Sequence, residues 1–286
     1  MNAAILGLMT AVGWGGADFA ARFSGRALGH ISALLGMLFA GSIGLAVYAV
    51  SVDMPIVWDT SRAWMLAATG VGVMVGTLLL YQGLARGPIS VVSPIVGSYP
   101  AISVLIAFAL GSRPAPEEWL AIAVVMCGVI TVARYAPTSN EPQHHDPAYN
   151  RKTIMISCAA AVTFAVVVLL GQAAAQVFGD LQTTLSGRII GLLVLIAFIV
   201  SRRDVRVSLP VRWWPLIALQ AGLDSCAYVT LFAAGNYPNG EFAAVTASTF
   251  GAITVVLARV FLKETISVQQ WFGILAIFAG ISALSL

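Results

Sequence analysis

Ten long stretches of this chain are almost free of charge, and that one feature decides its solvent. The stretches are 3–21, 31–50, 64–83, 89–110, 119–133, 153–172, 185–200, 213–234, 242–262 and 270–286. A helix needs about 20 apolar residues to cross roughly 30 Å of hydrocarbon. Only Asp18, Arg188, Asp224 and Arg259 fall inside the ten. The runs are continuously apolar rather than alternating, so helices are expected and barrel strands are not. The first run lacks a basic leader and is interrupted by Gly13, Gly15, Gly16 and Asp18, so it reads as a span rather than a cleavable signal.

Composition agrees. Charged residues make up 9% of the 286 and hydrophobic ones 59%, whereas soluble domains carry about 25% charged residues. A soluble enzyme, a secreted disulfide module and a disordered regulator are excluded. The net charge of +3 is too small for a nucleic-acid footprint, so the expected partners are a small-molecule substrate and the lipid bilayer. Cys127, Cys158 and Cys226 all lie in spans and are expected to be buried packing residues without disulfide or metal roles.

Loop charge predicts an orientation. The odd-numbered connections hold Arg22, Arg26, Arg86, Arg134, Arg151, Lys152, Arg202, Arg203, Arg206, Arg212 and Lys263, and the even ones only Arg62 and Arg113. The positive-inside rule puts the richer side in the cytoplasm, and therefore both termini outside it.

The longest polar stretch, 136–152, contains Pro137, Pro142, His144, His145, Asp146 and Pro147. It reads as a solvated linker between two five-span units, 1–135 and 153–286, and its paired histidines lack a third ligand for a metal. A repeat supports the division. Trp119 and Gly128 recur as Trp271 and Gly280, each 152 positions on. Each copy has a helix, a short polar turn (111–118; 263–270), then a tryptophan opening a glycine-containing helix. Five spans is an odd number, so the second unit enters the membrane from the opposite side. Inverted repeats of this kind mark transporters with a midplane site between the halves. The fold class expected is an all-α integral membrane protein, with ten transmembrane helices as two inverted five-helix repeats around a central cavity. Because both repeats lie in one chain, no oligomer is required.

The segment from Tyr81-Gln82-Gly83-Leu84 through Pro94, Gly111-Ser112-Arg113 and Trp119 to Gly128-Val129-Ile130 resembles the EamA repeat of the drug/metabolite transporter superfamily. So does Thr246 through Leu262-Lys263-Glu264-Thr265 and Trp271 to Gly280. Gly111-Ser112-Arg113 departs from the Leu-x-Glu turn that the second copy keeps. With Gly13-Trp14-Gly15 the resemblance spans nearly the whole chain. It implies ten helices and either export of amino acids and related metabolites or exchange of sugar phosphates and nucleotide sugars. It also implies cytoplasmic termini, the reverse of the loop-charge reading.

Ionisable groups at mid-membrane are costly and therefore candidates for function. Asp224 lies near the middle of its span, with Gln220 and Tyr228 one turn away on the same face. Arg188 is expected to snorkel to the interface or, facing inward, to hold a carboxylate or neutralise Asp224. Asp18 and Arg22, at i and i+4, read as a local interfacial pair. Trp14, Tyr81, Tyr99 and Phe164 lie well inside spans, unlike Trp64, Trp119, Trp213, Trp214 and Trp271, which begin spans as belt aromatics do. Gln82, Ser93, Thr246 and Thr249, together with Ser98 and Ser248, offer further polarity; back-bonding within the helix competes for the hydroxyls. Pro94 and Pro100 interrupt the fourth span, where alternating access needs a bend or a gate. Gly70, Gly72 and Gly76, and Gly36, Ala40 and Gly44, read as helix–helix contacts.

These residues suit a mostly neutral or zwitterionic, partly apolar metabolite. Sugar phosphates would want several intramembrane Lys or Arg residues. No nucleophile elbow, phosphate cradle or metal cluster is present, so neither catalysis nor a cofactor is expected. The expected function is a secondary exporter of amino acids or similar metabolites. Multidrug or quaternary-amine efflux is the alternative, with a membrane-embedded enzyme or scaffold behind it.

Overall fold

The computed structural model describes residues 3–109, 111, 113, 115–135, 147–202, 205–237 and 241–283. Within them the chain forms α1 (Ala3–Leu28), α2 (His30–Ser51), α3 (Ala63–Arg86), α4 (Ile89–Gly97), α5 (Tyr99–Ala109) and α6 (Pro116–Arg134). After the unit boundary come α7 (Pro147–Phe178), α8 (Asp180–Ser201), α9 (Trp214–Ala234), α10 (Glu241–Ser248), α11 (Phe250–Phe261) and α12 (Val268–Ala283). Counting α4–α5 and α10–α11 as one broken span each, these are the ten expected spans. Eight of the ten are long and apolar enough to cross a membrane by length and composition; α1, with 26 residues, and α12, with 16, complete the set.

Several bounds differ from the sequence expectation. Helix α1 runs on to Leu28, so Asp18 and Arg22 lie within it rather than at its end. Helix α8 starts at Asp180, which puts Arg188 more than two turns inside. Residues 147–152 of the expected linker are already helical; its remainder, 136–146, with His144 and His145, lies outside the described residues, as do Ser112, Arg203 and residues 284–286.

The same local devices recur in both halves. Helix α1 turns into α2 at Gly29 (φ 81°) and α7 into α8 at Gly179 (φ 82°), a left-handed backbone that favours glycine. Each glycine carbonyl then accepts an N–H from the next helix, Ala33 and Thr183 respectively, at 3.0 Å.

The halves interlock. Helix α1 packs along α9, and its counterpart α7 packs along α3. Close approach in lipid relies on small residues, and α1 supplies them: β-carbons at Gly7 and Gly13 would lie 2.6 Å from the Ala243 carbonyl and 2.8 Å from the Leu223 carbonyl. Gly70, Gly72 and Gly76 contact α7 and α8 as expected, and Gly36 contacts Ile217, but nothing lies within 4 Å of a β-carbon at Gly44.

The crossing of α6 with α12 shows the inversion most directly. A β-carbon at Gly128 would lie 2.7 Å from the Gly273 carbonyl, and one at Gly280 would lie 2.8 Å from the Ala121 carbonyl. Repeat equivalence pairs Gly128 with Gly280 and Ala121 with Gly273, so each contact is the image of the other. The two helices run antiparallel, as an in-plane two-fold requires.

Large apolar side chains cover the outside. Val47, Val50, Leu120, Leu193, Val200 and Phe272 are all exposed, far more apolar surface than a soluble monomer shows. Cys127, Cys158 and Cys226 are exposed on the helix exteriors, not buried as expected; their thiols are free, and membrane-facing positions accept a small apolar residue as readily as a core does.

Candidate functional site

The two broken spans meet at the centre, where α4 packs against α11. A β-carbon at Gly97 would lie 3.2 Å from the Ser248 carbonyl, and one at Gly251 would lie 3.0 Å from the Ser93 carbonyl. The first break falls at Ser98, between Pro94 and Pro100, as the prolines predict. The second falls at Thr249, where the sequence has no proline. Both are closed alike: Ser98 Oγ donates to the Ile95 carbonyl at 2.7 Å and Thr249 Oγ1 to the Thr246 carbonyl at 2.6 Å.

Beside the breaks lies a small cavity of about 20 Å³, lined by Trp14, Asp18, Thr77, Leu80, Tyr81, Val96, Tyr99, Phe164, Asp224 and Phe250. That is room for about one water molecule, far below an open ligand site, so the rings are closed on one another in this structure. Trp14 organises its wall: its ring centroid lies 6.4 Å from Tyr99, 6.3 Å from Phe164, 5.6 Å from Phe250 and 5.2 Å from Tyr228. Edge-on and tilted packing of this kind holds each ring in place. Trp14 and Phe164 occupy equivalent places on α1 and α7 when the halves are aligned on Gly29 and Gly179.

Arg188 does not snorkel. It is 1% exposed, and its Nη2 donates to Asp224 Oδ2. Nη1 reaches Met37 Sδ at 2.9 Å, and the guanidinium sits 5.3 Å from the Tyr228 ring centroid. Gly41 of α2 packs beside the pair: a β-carbon there would lie 3.1 Å from Ser225 Oγ and in ordinary contact, at 3.7 Å, with Arg188 Cδ. The inward alternative, neutralisation of Asp224, is the one observed. Arg188 and Tyr228 also line a second, water-sized space of about 10 Å³ behind the pair.

Gln220 joins the cavity wall to α1: its Nε2 donates to Tyr81 Oη, and its Oε1 accepts from Ser24 Oγ at 2.9 Å. The local pairing expected of Asp18 and Arg22 is not formed. Arg22 Nη1 donates instead to the carbonyls of Leu84 and Gly87. Asp18, 4% exposed, lines the cavity, and its Oδ2 has no hydrogen-bond partner. Along a helix, i and i+4 share a face, but the carbonyls at the C-terminal end of α3 attract the cation away from its neighbour.

Of the residues singled out from sequence, Trp14, Tyr81, Tyr99, Phe164 and Asp224 line the cavity, while Arg188, Gln220 and Tyr228 stand directly behind it. Gln82, Ser93, Thr246 and Thr249 are not on its wall. Thr246 Oγ1 lies 3.3 Å from the Ala243 carbonyl it bonds, and Thr249 back-bonds as described. Ser93 is buried where α11 crosses, with Oγ unpartnered. Sequence reasoning missed Asp18, Thr77, Leu80, Val96 and Phe250 as wall residues. Asp18 carried the signal of a mid-span charge; Phe250 carried none beyond its place next to the second break.

The Leu262-Lys263-Glu264 turn also has a structural task. Glu264 accepts the backbone N–H groups of Ile89 and Ser90, each at 3.1 Å. A carboxylate from the second half thus caps the N-terminus of α4 in the first, where the helix dipole favours negative charge.

No curated protein matches this sequence. One solved crystal structure superposes with a TM-score of 0.68 at 16% identity, covering 99% of this chain and 96% of that one; the likeness speaks for the fold alone. Residues 1–134 and 151–286 each match the EamA-like transporter family. Two matched copies account for nearly the whole multi-pass chain, and the protein belongs to the EamA-like transporter family.

Proposed function

We propose that this membrane transporter exports amino acids or similar small neutral or zwitterionic metabolites by alternating access, the inverted halves rocking about the central cavity. The observation that carries the proposal is the cavity itself. It sits between the halves, at the broken spans, walled by aromatic rings, and Arg188 behind it is already paired with Asp224. A phosphate ester would find no unpaired cation on this wall, and a small solute with an apolar body fits the rings. Pro94, Pro100 and the hydroxyl-closed breaks are the places where a bend costs least backbone bonding. Flux of each labelled amino acid into proteoliposomes tests the reading. Movement of at least one, saturable and abolished by Trp14→Ala, supports it; no movement for any of the twenty with monodisperse protein overturns it.

The second reading, efflux of cationic drugs or quaternary amines, draws support from the same rings, whose faces attract cations, and from the two carboxylates beside them. In the same vesicles, tetramethylammonium movement without amino-acid movement would decide for it.

A further inference from the structure

We infer that Asp18 is the group that holds the ammonium of the transported solute, and that the site therefore selects amines over acids of the same shape. The inference rests on the proposed transport of amino acids and names the atom that recognises them. Two carboxylates line the cavity, but they are not alike. Asp224 is matched by Arg188, which is 1% exposed and held further by Met37 and the Tyr228 ring. Asp18 is 4% exposed and its Oδ2 has no hydrogen-bond partner.

The neighbours that might have served Asp18 are otherwise engaged. Arg22, one turn along α1, directs Nη1 to the carbonyls of Leu84 and Gly87. Tyr81 Oη accepts from Gln220 Nε2, and its own O–H makes no hydrogen bond to Asp18 Oδ2 in this structure. A carboxylate buried without donors is costly, and such an atom on a cavity wall is a place for a ligand that brings its own. The ligand must bring N–H donors and positive charge, and an ammonium group brings both. The rest of the wall agrees: Trp14, Tyr81, Tyr99, Phe164 and Phe250 present rings around the same space, and ring faces favour a desolvated cation. Among the described residues the wall holds no arginine or lysine for a substrate carboxylate. The amine, not the acid, is the recognised end.

Calorimetric titration of the full-length protein in detergent with three compounds of one carbon skeleton tests this: leucine, 3-methylbutylamine (no carboxylate) and 4-methylpentanoate (no amine). Leucine and the amine are expected to bind at least ten-fold tighter than the acid. Asp18→Asn is expected to flatten that preference, with the acid gaining affinity, a change that a misfolded protein cannot show; Asp18→Glu is expected to keep the preference. Acid binding within three-fold of leucine, or a ten-fold preference surviving in Asp18→Asn, overturns the role of Asp18 and leaves amino-acid transport standing. Binding of the amine without leucine upholds Asp18 and overturns the amino-acid reading. Binding of none of the three overturns both.

Discussion

The two halves share a backbone and divide the chemistry. Gly29 and Gly179 make the same turn, Ser98 and Thr249 close the same break, and α6 crosses α12 through contacts that are images of each other. The buried charges follow no such symmetry. Aligned on the two turns, Arg188 of the second half corresponds to Leu38, Asp224 to Met74, and Asp18 of the first half to Val168. At the α6–α12 crossing Gly128 and Gly280 stay matched because any added atom there collides with a carbonyl. The buried charges diverge, because each answers to its partner across the interface, while Trp14 and Phe164 keep the cavity wall aromatic in both halves. The asymmetry of the charges is thus what makes a symmetric scaffold into a site with a direction.

The largest test of this division erases it. Arg188→Leu gives α8 the residue that α2 already carries and strands Asp224 in the interior. Breaking a buried pair from one side costs about 3–5 kcal/mol, to be read as lost stability by thermal unfolding in detergent. The double variant Arg188→Leu/Asp224→Leu is expected to recover most of that loss, because no charge is then left unpaired. A single variant as stable as the parent would show that the halves differ there without energetic consequence.

Much of the scaffold was legible because lipid makes apolar length and helix nearly synonymous, and because Trp119/Trp271 and Gly128/Gly280 marked the repeat at one fixed spacing. Aromatic residues deep in spans, Trp14, Tyr81, Tyr99 and Phe164, were legible because they lie away from the interfaces where belt aromatics collect. What was not legible was rotation and reach. Sequence shows that Asp18 and Arg22 share a face of α1, but not that the α3 carbonyls draw the arginine off. It shows Arg188 inside a span, but not that α8 begins five residues earlier and turns it toward Asp224. The break at Thr249 was invisible because no proline marks it. The outward position of the cysteines was invisible because lipid-facing and core-facing small residues look alike.

The second test asks whether the matched crossing is matched in energy. Gly128→Leu and Gly280→Leu each push a side chain against a backbone carbonyl, Gly273 in one case and Ala121 in the other, at the close approaches given above. Overpacking costs about 1–3 kcal/mol, more where backbone must move. The two losses, measured by the same unfolding assay, are expected to agree within about 1 kcal/mol. A larger gap would mean that the two-fold holds in geometry but not in load, and that one half carries the crossing.

The smallest effect is the most discriminating. Ser98 and Thr249 perform the same service, but only the first break has prolines. Pro100 lacks the N–H that would continue the helix, and Pro94 removes another bond within α4, so the first break persists if the Ser98 hydroxyl is lost. Nothing comparable flanks Thr249, whose hydroxyl adds a second donor, beside its own N–H at 3.2 Å, to the Thr246 carbonyl. Thr249→Ala should therefore cost about 1 kcal/mol, the net worth of one such bond, and Ser98→Ala should cost less. The readout is amide hydrogen exchange over α10–α11 and α4–α5: faster exchange confined to α10–α11 in Thr249→Ala, and little change in Ser98→Ala. Equal responses would mean that both hydroxyls, rather than the prolines, keep the central spans broken, and that the second half reached the same break by the same means as the first.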